Sequence, residues 1–464
     1  MAEHVDLVIV GAGPAGMAAA VEARRGGLSV AVVDEGPAPG GQIYRNVLEG
    51  GARDGILGAD YAAGRALAAA FLASGAAYCP EATAFLIERR TAGGFRLGLG
   101  RPGRPAGVLV GRAVLIAIGA QERPVPLPGW TLPGVMTAGA AQTLLKASGL
   151  VPEGPVVIAG SGPLIPLLVT QYARAGVPVS AVLDTTPAEN LRAALPHLPA
   201  FLASGYALKG LRLLAAMQRA ATVHRHVTGL GAEGDAALEA VRFTVRGRAM
   251  RLPARTLLLH QGVVPQISLA MAAGADHRWN AARRAFEPVL TADGETSLPG
   301  LHVAGDAGGI AGAAAAEAAG TIAAAAILRR LGGAPAEGAA REAAARRAFA
   351  RALRGRACLD ALFRPDDAVV RPADEVIVCR CEEVTAGTIR ALVRRGAQGP
   401  NQIKAFCRAG MGPCQGRMCG LTVAELVAGE RGISPAEVGH MRLRFPVKPV
   451  TVADFAALAE DGEG

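Results

Sequence analysis

A glycine-rich turn near the start of the chain constrains its fold more than any other feature. Residues 5–35 read VDLVIVGAGPAGMAAAVEARRGGLSVAVVDE, which predicts a strand, a tight turn, a helix and a second strand. Gly11 permits the sharp turn, Gly13 lets the backbone approach a pyrophosphate, and Gly16 lets the helix and the strand pack closely. The segment therefore predicts a nucleotide-binding unit.

An acidic residue follows the second strand of this unit. Asp34 lies where a carboxylate accepts hydrogen bonds from ribose hydroxyls, and Glu35 is the adjacent alternative. The helix that opens at Pro14 and Ala15 points free N–H groups at the phosphates. Glycine turns alone are common, but a strand before, a helix after and an acid at this distance indicate a bound dinucleotide.

Two later segments resemble the other cofactor motifs of flavoproteins that have two dinucleotide-binding domains. Residues 113–126, AVLIAIGAQERPVP, resemble the strand and turn that close the FAD domain and cross into the next. Residues 296–320, TSLPGLHVAGDAGGIAGAAAAEAAG, resemble the second FAD fingerprint, in which Asp306 would hold the ribityl chain. The residues that these segments would bring to FAD are Ala117, Gly119, Gly305 and Asp306. Three motifs in this order imply FAD as the cofactor.

The segment PGGQIYR, residues 39–45, adds a glycine pair between these motifs. Gly41 would let the backbone approach the cofactor, and the polar side chains of Gln42 and Arg45 follow it. A solvated loop is the alternative interpretation for Gln42 and Arg45.

A second, imperfect turn repeats the first. Residues 154–184, GPVVIAGSGPLIPLLVTQYARAGVPVSAVLD, again predict a strand, a turn, a helix and a strand, so the chain resembles the glutathione-reductase-like flavoproteins. Gly160 and Gly162 are candidates for binding a second nucleotide. Ile165 occupies the third glycine position, however, where a branched side chain pushes the helix away from the strand. NAD, ATP and a vestigial site all remain open.

Two kinds of chemistry are excluded because the sequence lacks the residues that they need. Disulfide reductases of this fold need a cysteine pair beside the flavin, yet Cys79 stands alone and residues 130–300 contain no cysteine. No Ser/His/Asp, Cys/His or paired-carboxylate pattern is present, so we expect no catalytic side chains. His260, which ends an apolar strand, would be a proton relay or, more simply, a core histidine. The helical stretch 188–221 would cover a subunit interface or only pad the fold.

Five of the seven cysteines lie between positions 379 and 419. In a reducing compartment such clustering indicates a metal site. Four of them form a CxC pair and a Cx4C pair, and these are Cys379, Cys381, Cys414 and Cys419. Two pairs suit two irons with two thiolates each, which predicts a [2Fe–2S] cluster. Zinc and free thiols are the alternatives, although CxC is an unusual zinc spacing.

Small and basic residues surround these cysteines. The glycines that would leave N–H groups near the sulfurs are Gly410, Gly412 and Gly416. The arginines that would offset the negative charge of a cluster are Arg380, Arg408 and Arg417. The remaining thiols of Cys79, Cys358 and Cys407 are expected to be small buried hydrophobic groups.

The motifs occur in one order that resembles a known family. Six segments follow one another along the chain: the first FAD fingerprint, PGGQIYR, the imperfect second turn, CRCEEVT, RAGMGPCQGRMC and the closing FPVKPVT. Together they resemble the α subunits of heteromeric amine, amino-acid and opine dehydrogenases. The cysteine segment resembles the bacterioferritin-associated-ferredoxin (BFD) type of [2Fe–2S] domain. That domain usually has CxxC as its second pair, whereas four residues intervene here.

The resemblance implies a division of labour between subunits. In that family a β flavoprotein of the glycine-oxidase type oxidises the substrate, and the α subunit carries the electrons onward. It therefore implies such a β partner, a small ferredoxin-like subunit, FMN shared with a partner, and an acceptor other than oxygen, such as a quinone. The substrate would be an amino acid, an opine or an imino acid. A stand-alone NAD(P)H-dependent reductase and a structural cofactor-binding scaffold are the competing interpretations.

The net charge of +9 does not indicate a nucleic-acid partner, because the basic residues form no long run and no aromatic residues are interleaved with them. The first residues, Met1 to His4, show no basic region of a secretory signal. The apolar stretch 310–328 carries Glu317 and belongs to the second fingerprint. We expect a cytoplasmic protein that is peripheral on the inner membrane only through its complex.

The expected fold class is α/β, with two Rossmann-like dinucleotide-binding domains of the glutathione-reductase type and a small α-rich C-terminal BFD-like domain. The expected parts are the FAD-binding domain in two pieces, 1–127 and 285–332, the second Rossmann-like domain at 128–284, a helical linker at 333–372, the [2Fe–2S] domain at 373–435 and a tail at 436–464.

Overall fold

The computed structural model describes residues 3–49, 51, 53–333 and 337–460. Met1 and Ala2 of the expected N-terminus, residues 334–336 of the expected linker and residues 461–464 of the expected tail lie outside the described residues. The strands in chain order are β1 (Glu3–Val10), β2 (Val30–Val33), β3 (Ala77–Cys79), β4 (Thr83–Arg89), β5 (Phe95–Arg101), β6 (Arg104–Ile116), β7 (Ala120–Glu122), β8 (Val135–Thr137), β9 (Val156–Gly160), β10 (Val179–Asp184), β11 (Thr222–Arg225), β12 (Thr228–Glu233), β13 (Ala240–Val245), β14 (Arg248–Pro253), β15 (Thr256–His260), β16 (Val263–Pro265), β17 (His277–Asn280), β18 (Ala285–Pro288), β19 (Leu301–Val303), β20 (Ile377–Cys379) and β21 (Val384–Thr385).

Helices connect these strands. In chain order they are α1 (Pro14–Arg25), α2 (Asp54–Leu57), α3 (Ala59–Ala62), α4 (Gly64–Leu72), α5 (Ala138–Ser148), α6 (Leu164–Arg174), α7 (Ala188–Ala194), α8 (Leu198–Leu202), α9 (Gly205–Ala220), α10 (Ser268–Ala272), α11 (Ala313–Leu331), α12 (Gly338–Leu353), α13 (Arg356–Leu362), α14 (Asp367–Val370), α15 (Ala386–Arg394), α16 (Pro400–Cys407), α17 (Gly420–Arg431), α18 (Pro435–Val438) and α19 (Val452–Glu460). Short 3-10 helices cover Val47–Glu49, Leu195–His197 and Gly305–Ala307.

The first sheet has the strand order β3-β2-β1-β6-β5-β4, and β19 pairs with β6. Strands β1, β2, β3 and β19 join this sheet in parallel, whereas β4, β5 and β6 form an antiparallel meander. Leu7, Val8 and Ile9 of β1 are fully buried, as a parallel strand covered on both faces requires. Helices α1 and α11 pack against each other on this sheet, which brings the two FAD motifs of the sequence together.

The second sheet is parallel, with the order β11-β10-β9-β15-β8. An antiparallel sheet of β12, β13 and β14 accompanies it. Strands β7 and β16 pair antiparallel where the chain crosses between the two sheets, so the second sheet is inserted between the two pieces of the first domain. This is the duplicated Rossmann architecture that the two glycine turns predict.

The C-terminal cysteines belong to a small helical domain that packs on the preceding structure. The hairpin of β20 and β21 leads into α15, α16 and α17, and Ile389, Ile403 and Val423 are fully buried between these helices. Arg284 donates two hydrogen bonds of 2.8 Å to the carboxylate of Glu425 on α17, and both side chains are buried. Because removing one partner of a buried ion pair costs about 3–5 kcal/mol, this pair fixes the small domain in place.

The expected linker and tail both pack on the first domain. In the linker, α12 packs along α11, and Arg341 donates to both carboxylate oxygens of the buried Glu22 at 3.1 and 2.9 Å. In the tail, the N–H of Val447 donates to the carbonyl of Phe85, and α19 packs on β6. No helix within the described ranges is long and apolar enough to span a bilayer.

Candidate cofactor sites

The first glycine turn is shaped as the sequence predicts. Gly11 has a φ of 106°, and a Cβ added there would lie 2.5 Å from the carbonyl oxygen of Ala117. A Cβ on Gly16 would overlap the carbonyl oxygen of Gly11, so the helix and the strand touch at this point. The Cβ position of Gly13, by contrast, is no closer than 3.9 Å to its nearest neighbour, the Cα of Gly41. Space therefore remains above Gly13, as the predicted approach of a pyrophosphate requires.

The two acidic residues at the end of β2 contact different parts of the chain. The carboxylate of Asp34 accepts the N–H of Ala12 at 2.6 Å and the N–H of Gly36 at 2.7 Å. Burial raises the pKa of the Asp34 carboxyl above its ordinary value, although both backbone bonds oppose this. Glu35 is half exposed and forms an ion pair with Lys448. Asp34 thus stabilises the turn itself, and Glu35 is the more exposed of the two carboxylates.

The loop of PGGQIYR lies against the first turn. The N–H of Gly40 donates to the carbonyl of Ala12 at 2.8 Å, which places Gly41 beside Gly13. The Nε of Arg45 is buried and has no hydrogen-bond partner among the described residues, as expected of a donor that meets an anionic ligand. Gln42 is exposed, and its side chain accepts a hydrogen bond from Thr143, so the solvated-loop alternative suits Gln42 better than Arg45.

A buried lysine that sequence reasoning missed completes this loop. Lys146 lies on α5 of the second domain, and its Nζ donates to the carbonyl of Gln42 at 3.1 Å. Burial, with a smaller contribution from the nearby charge of Arg45, lowers the pKa of Lys146 to about 8. A lone lysine carries no sequence motif, so nothing in the sequence could identify this contact between the domains.

The second fingerprint meets the first turn from the opposite side. Gly305 has a φ of 73°, and a Cβ on Gly320 of α11 would overlap the carbonyl oxygen of Ala15. Oδ1 of Asp306 accepts the N–H groups of Ala311 and Gly312 at 2.8 and 2.9 Å, which sets the start of α11. These bonds use only one carboxylate oxygen of Asp306. Gly119, at the end of the first-domain strand and turn, has a φ of 71° and open space at its Cβ position.

The second glycine turn is closed by a histidine. A Cβ on Gly160 would overlap the carbonyl oxygen of His260, and one on Gly162 would lie 2.6 Å from the Nε2 of His260. The other ring nitrogen, Nδ1, lies 2.6 Å from Oε1 of Glu122, and both side chains are almost fully buried. The N–H of Gly139 donates to Oε2 of Glu122 at 2.7 Å. His260 therefore has the contacts of a satisfied core histidine, and its ring occupies the space above Gly162.

The four predicted cluster cysteines converge, but they pair across the two motifs. The thiols of Cys379 and Cys419 interact directly, and so do those of Cys381 and Cys414. The Cys419 thiol, helped by the N–H groups of Gly410, Glu382 and Cys381, lowers the pKa of Cys379 to about 6. Within the described residues no three His, Cys, Asp or Glu side chains lie close enough together to hold one metal ion. The donor set of four thiols in two close pairs fits a [2Fe–2S] cluster, in which each iron takes two thiolates.

Only part of the predicted surroundings faces these thiols. A Cβ on Gly412 would overlap the Cβ of Cys381, so a glycine is required there. Of the three arginines, Arg417 donates to the carbonyl of Cys414 at 3.0 Å, whereas Arg380 stacks on Trp130 and Arg408 pairs with Glu382. The Sγ of Cys407 donates to the carbonyl of Ile403, as expected of a structural thiol.

A direct bridge joins the cysteine loop to the first domain. Nε2 of Gln121 donates to the carbonyl of Arg417 at 2.7 Å. Gln121 lies on β7, shortly after Gly119, and Arg417 lies between Cys414 and Cys419. Gln266 on the neighbouring segment donates to Oε1 of Gln121 at 3.2 Å. No sequence signal indicates this bridge, because its two ends are 296 residues apart.

Known proteins resemble the chain over its whole length. A family model described as pyridine nucleotide-disulphide oxidoreductase matches residues 5–320, and one described as BFD-like [2Fe-2S] binding domain matches residues 377–428. The opine oxidase A subunit of Agrobacterium tumefaciens (strain Ach5) is 50% identical, over 99% of this chain and 92% of that protein. The hydrogen cyanide synthase subunit HcnB of Pseudomonas aeruginosa is 33% identical, over 98% of this chain and 99% of its own length.

A solved structure has the same fold. The crystal structure of L-proline dehydrogenase from P. horikoshii matches with a TM-score of 0.72, covering 98% of this chain and 80% of that chain. The two sequences are only 20% identical, so this likeness concerns the fold alone.

The fold and the four thiols define an oxidoreductase with a flavoprotein-type double Rossmann core and an appended iron–sulfur domain. The chain belongs to the pyridine nucleotide-disulphide oxidoreductase family, in the branch of heteromeric FAD-dependent dehydrogenase subunits that includes the opine oxidase A subunit and HcnB. The expected family, fold class and enzyme class are thereby confirmed. The two domain types support FAD and a [2Fe–2S] cluster as cofactors.

Proposed function

We propose that this chain is the electron-relaying subunit of a heteromeric dehydrogenase, in which a partner flavoprotein oxidises an amino acid, an opine or an imino acid. The observation that carries this proposal is the hydrogen bond between Gln121 and Arg417. It connects the loop that holds Cys414 and Cys419 to the strand that leaves the FAD domain. A chain that only had to bind two separate cofactors would not need this contact.

The residues proposed to hold the cofactors follow from the geometry. Bound FAD would supply two-electron chemistry, and a bound cluster would supply one-electron chemistry. The FAD residues would be Gly11, Gly13, Pro14, Ala15, Gly16, Glu35, Gly41, Arg45, Ala117, Gly119, Gly305 and Asp306, with Asp34 shaping the turn. The cluster ligands would be Cys379, Cys381, Cys414 and Cys419. None of these side chains is proposed to break a bond in the substrate.

The second turn is proposed to bind neither NAD nor ATP. The imidazole of His260 lies over Gly162 where a pyrophosphate would approach, and its contact with Glu122 holds it there. This inference disfavours the stand-alone NAD(P)H-dependent reductase. It also withdraws Gly160 and Gly162 from the proposed cofactor residues.

The partners are proposed from the family. They are a glycine-oxidase-like β flavoprotein, a small ferredoxin-like subunit and a non-oxygen acceptor such as a quinone, with FMN shared between this chain and a partner. Three opine oxidase A subunits are 43–50% identical to this chain, which supports an opine as the substrate. Peripheral association with the inner membrane would place the complex beside a quinone.

Replacing two cluster cysteines tests the relay. In the complex reconstituted with its β partner, Cys414→Ser with Cys419→Ser should lower dye-linked turnover by at least roughly a hundredfold. Substrate should still bleach the flavin of the partner, because oxidation of the substrate takes place there. Cys407→Ser is the matched control and should leave turnover unchanged, since this thiol donates to the carbonyl of Ile403 and is not a proposed ligand. Full turnover in the double variant would instead support a structural scaffold.

A further inference from the structure

The helices between β10 and β11 expose a row of leucines. Helix α7, the 3-10 turn at Leu195–His197 and α8 follow one another without a gap. Four leucines lie along them at i, i+4, i+7 and i+11, the spacing of one helical face. The next helix, α9, adds three more. The exposed fractions are 52% for Leu191, 61% for Leu195, 38% for Leu198, 62% for Leu202, 58% for Leu208, 65% for Leu211 and 43% for Leu214. We refer to these seven residues as the leucine face.

The leucine face is not needed for folding the domain that carries it. Helices α7 and α8 pack on α13, and the buried Asn190 donates to the carbonyls of Leu362 and Arg364 on that side. Helix α9 packs on α6, with Met217 buried. Since the other sides of these helices are already packed, the exposed leucines form an apolar surface available for another structure.

The charges around the leucine face are almost all positive. Arg192, Lys209, Arg212 and Arg219 are exposed on the same helices, and Glu189 is the only acidic residue between positions 188 and 221. Lys209 pairs with Asp60 of α3. The three arginines form no ion pair with any residue in the described part of the chain. On α9 the helical spacing places Arg212 beside Leu208 and puts Arg219 about two turns further along the same side, so the basic residues border the apolar stripe.

We propose that the leucine face docks on an anionic lipid surface. Exposed leucines beside basic residues are the composition of helices that lie in the membrane interface. Protein interfaces are instead enriched in aromatic residues and methionine, and here Tyr206 is partly buried and its hydroxyl donates to the carbonyl of Ala352. The leucines would enter the acyl boundary, and Arg192, Arg212 and Arg219 would contact phosphate headgroups. This inference and the proposed function both place the chain at a membrane, and they share no other premise.

Vesicle flotation of the purified full-length chain tests the proposal. The chain should float with vesicles of equimolar phosphatidylcholine and phosphatidylglycerol, and much less with phosphatidylcholine alone. The variant Leu195→Gln with Leu202→Gln and Leu211→Gln should bind at least roughly tenfold more weakly. In the charge variant Arg192→Gln with Arg212→Gln, each substitution should weaken binding to the anionic vesicles by about fivefold. Binding to phosphatidylcholine alone should not change. Leu72→Gln with Leu150→Gln is the matched control, since both leucines are exposed elsewhere, and should bind like the wild type.

Two outcomes would overturn the proposal. One is a wild-type chain that stays unbound with both kinds of vesicle. The other is a triple leucine variant that floats like the wild type. Sedimentation velocity identifies the alternative occupant, because a concentration-dependent dimer that the triple variant abolishes would mean that the face binds a second copy of this chain. Flotation needs no turnover, so its failure leaves the proposed relay function untouched.

Discussion

The two glycine turns of this chain make the same backbone contact at their first glycine and differ at their second, where φ is −77° for Gly13 and 145° for Gly162. In the first, Ala117 follows strand β6, and its carbonyl oxygen lies against Gly11. In the second, His260 ends strand β15, and its carbonyl oxygen lies against Gly160 in the same way. No described atom lies closer than 3.9 Å to the Cβ position of Gly13, whereas Nε2 of His260 lies 2.6 Å from the Cβ position of Gly162.

We infer from this difference which part of the motif decides ligand binding. Gly11 and Gly160 both contact the facing backbone, and the side chain beside the second glycine would decide whether a phosphate has room. Moving the His260 ring would cost stability, because the buried Glu122 carboxylate would lose its contact with Nδ1 and keep the N–H of Gly139. The second domain retains the Rossmann fold, and its turn is proposed to bind no nucleotide.

The largest effect is expected from closing the first turn. Gly13→Val should reduce FAD affinity by at least a hundredfold, about 2.7 kcal/mol, because its side chain would enter the open space that the pyrophosphate needs. Gly13 has a φ of −77° and no described neighbour within 3.9 Å of the Cβ position, so the apoprotein should fold normally. The ratio of flavin to protein absorbance after purification measures the loss, and far-ultraviolet circular dichroism checks the fold.

Gly162→Val is the counterpart in the second turn. Its φ of 145° and the nearby ring of His260 predict a loss of stability. Its flavin content should equal that of the wild type at a temperature where both are folded. Equal loss of FAD from both variants would contradict the assignment of FAD to the first turn.

A smaller effect is expected from Lys146, through which the second domain completes the first site. Its pKa is about 8 in the folded protein, below the ordinary lysine value of about 10.4 in the unfolded chain. Between these values the unfolded chain binds more protons, so stability should rise as the pH is raised from 8 towards 10. Lys146→Met should remove this rise and stabilise the protein at pH 7 by about 1–3 kcal/mol. Urea unfolding at saturating FAD, at pH 7 and 9.5, measures both effects.

Lys404→Met serves as the control for this pH dependence. Lys404 is only partly buried, so the slope of stability against pH in this variant should match that of the wild type. A wild-type protein whose stability falls from pH 7 to pH 9.5, with Lys146→Met behaving in the same way, would contradict the assignment.

The sequence predicts the positive φ of Gly11 and the closeness of Cys379 to Cys381 because local geometry determines them. Gly11 needs its positive φ in any turn of this kind, and a CxC pair cannot separate widely. The contacts of Asp34 with the N–H groups of Ala12 and Gly36 were not predictable, since they depend on which backbone N–H groups the folded turn presents. The pairing of Cys379 with Cys419 likewise depends on how a hairpin meets a helix.

Contacts between distant segments lay beyond sequence reasoning for a different reason. Gln121 and Arg417 belong to no motif, and only the packed domains bring them together. The sequence marks His260 as the end of an apolar strand, but its contact with Glu122 requires β15 and β7 to lie close together. Motifs thus indicate which cofactors a chain carries, and tertiary contacts decide how they are connected.

The smallest expected effect concerns the second turn, where we predict that added nucleotides do not bind. Millimolar NADH should not bleach the flavin absorbance of the isolated chain, and neither NADH nor ATP should raise its unfolding temperature. The reason is that the ring of His260 lies against Gly162 and that the buried Ile165 replaces the third glycine of the motif. Chemical reduction with dithionite is the control, because it shows that the bound flavin can be reduced. Bleaching by NADH would mean that the His260 ring moves aside. The second turn would then be able to bind a nucleotide, as the first is proposed to do.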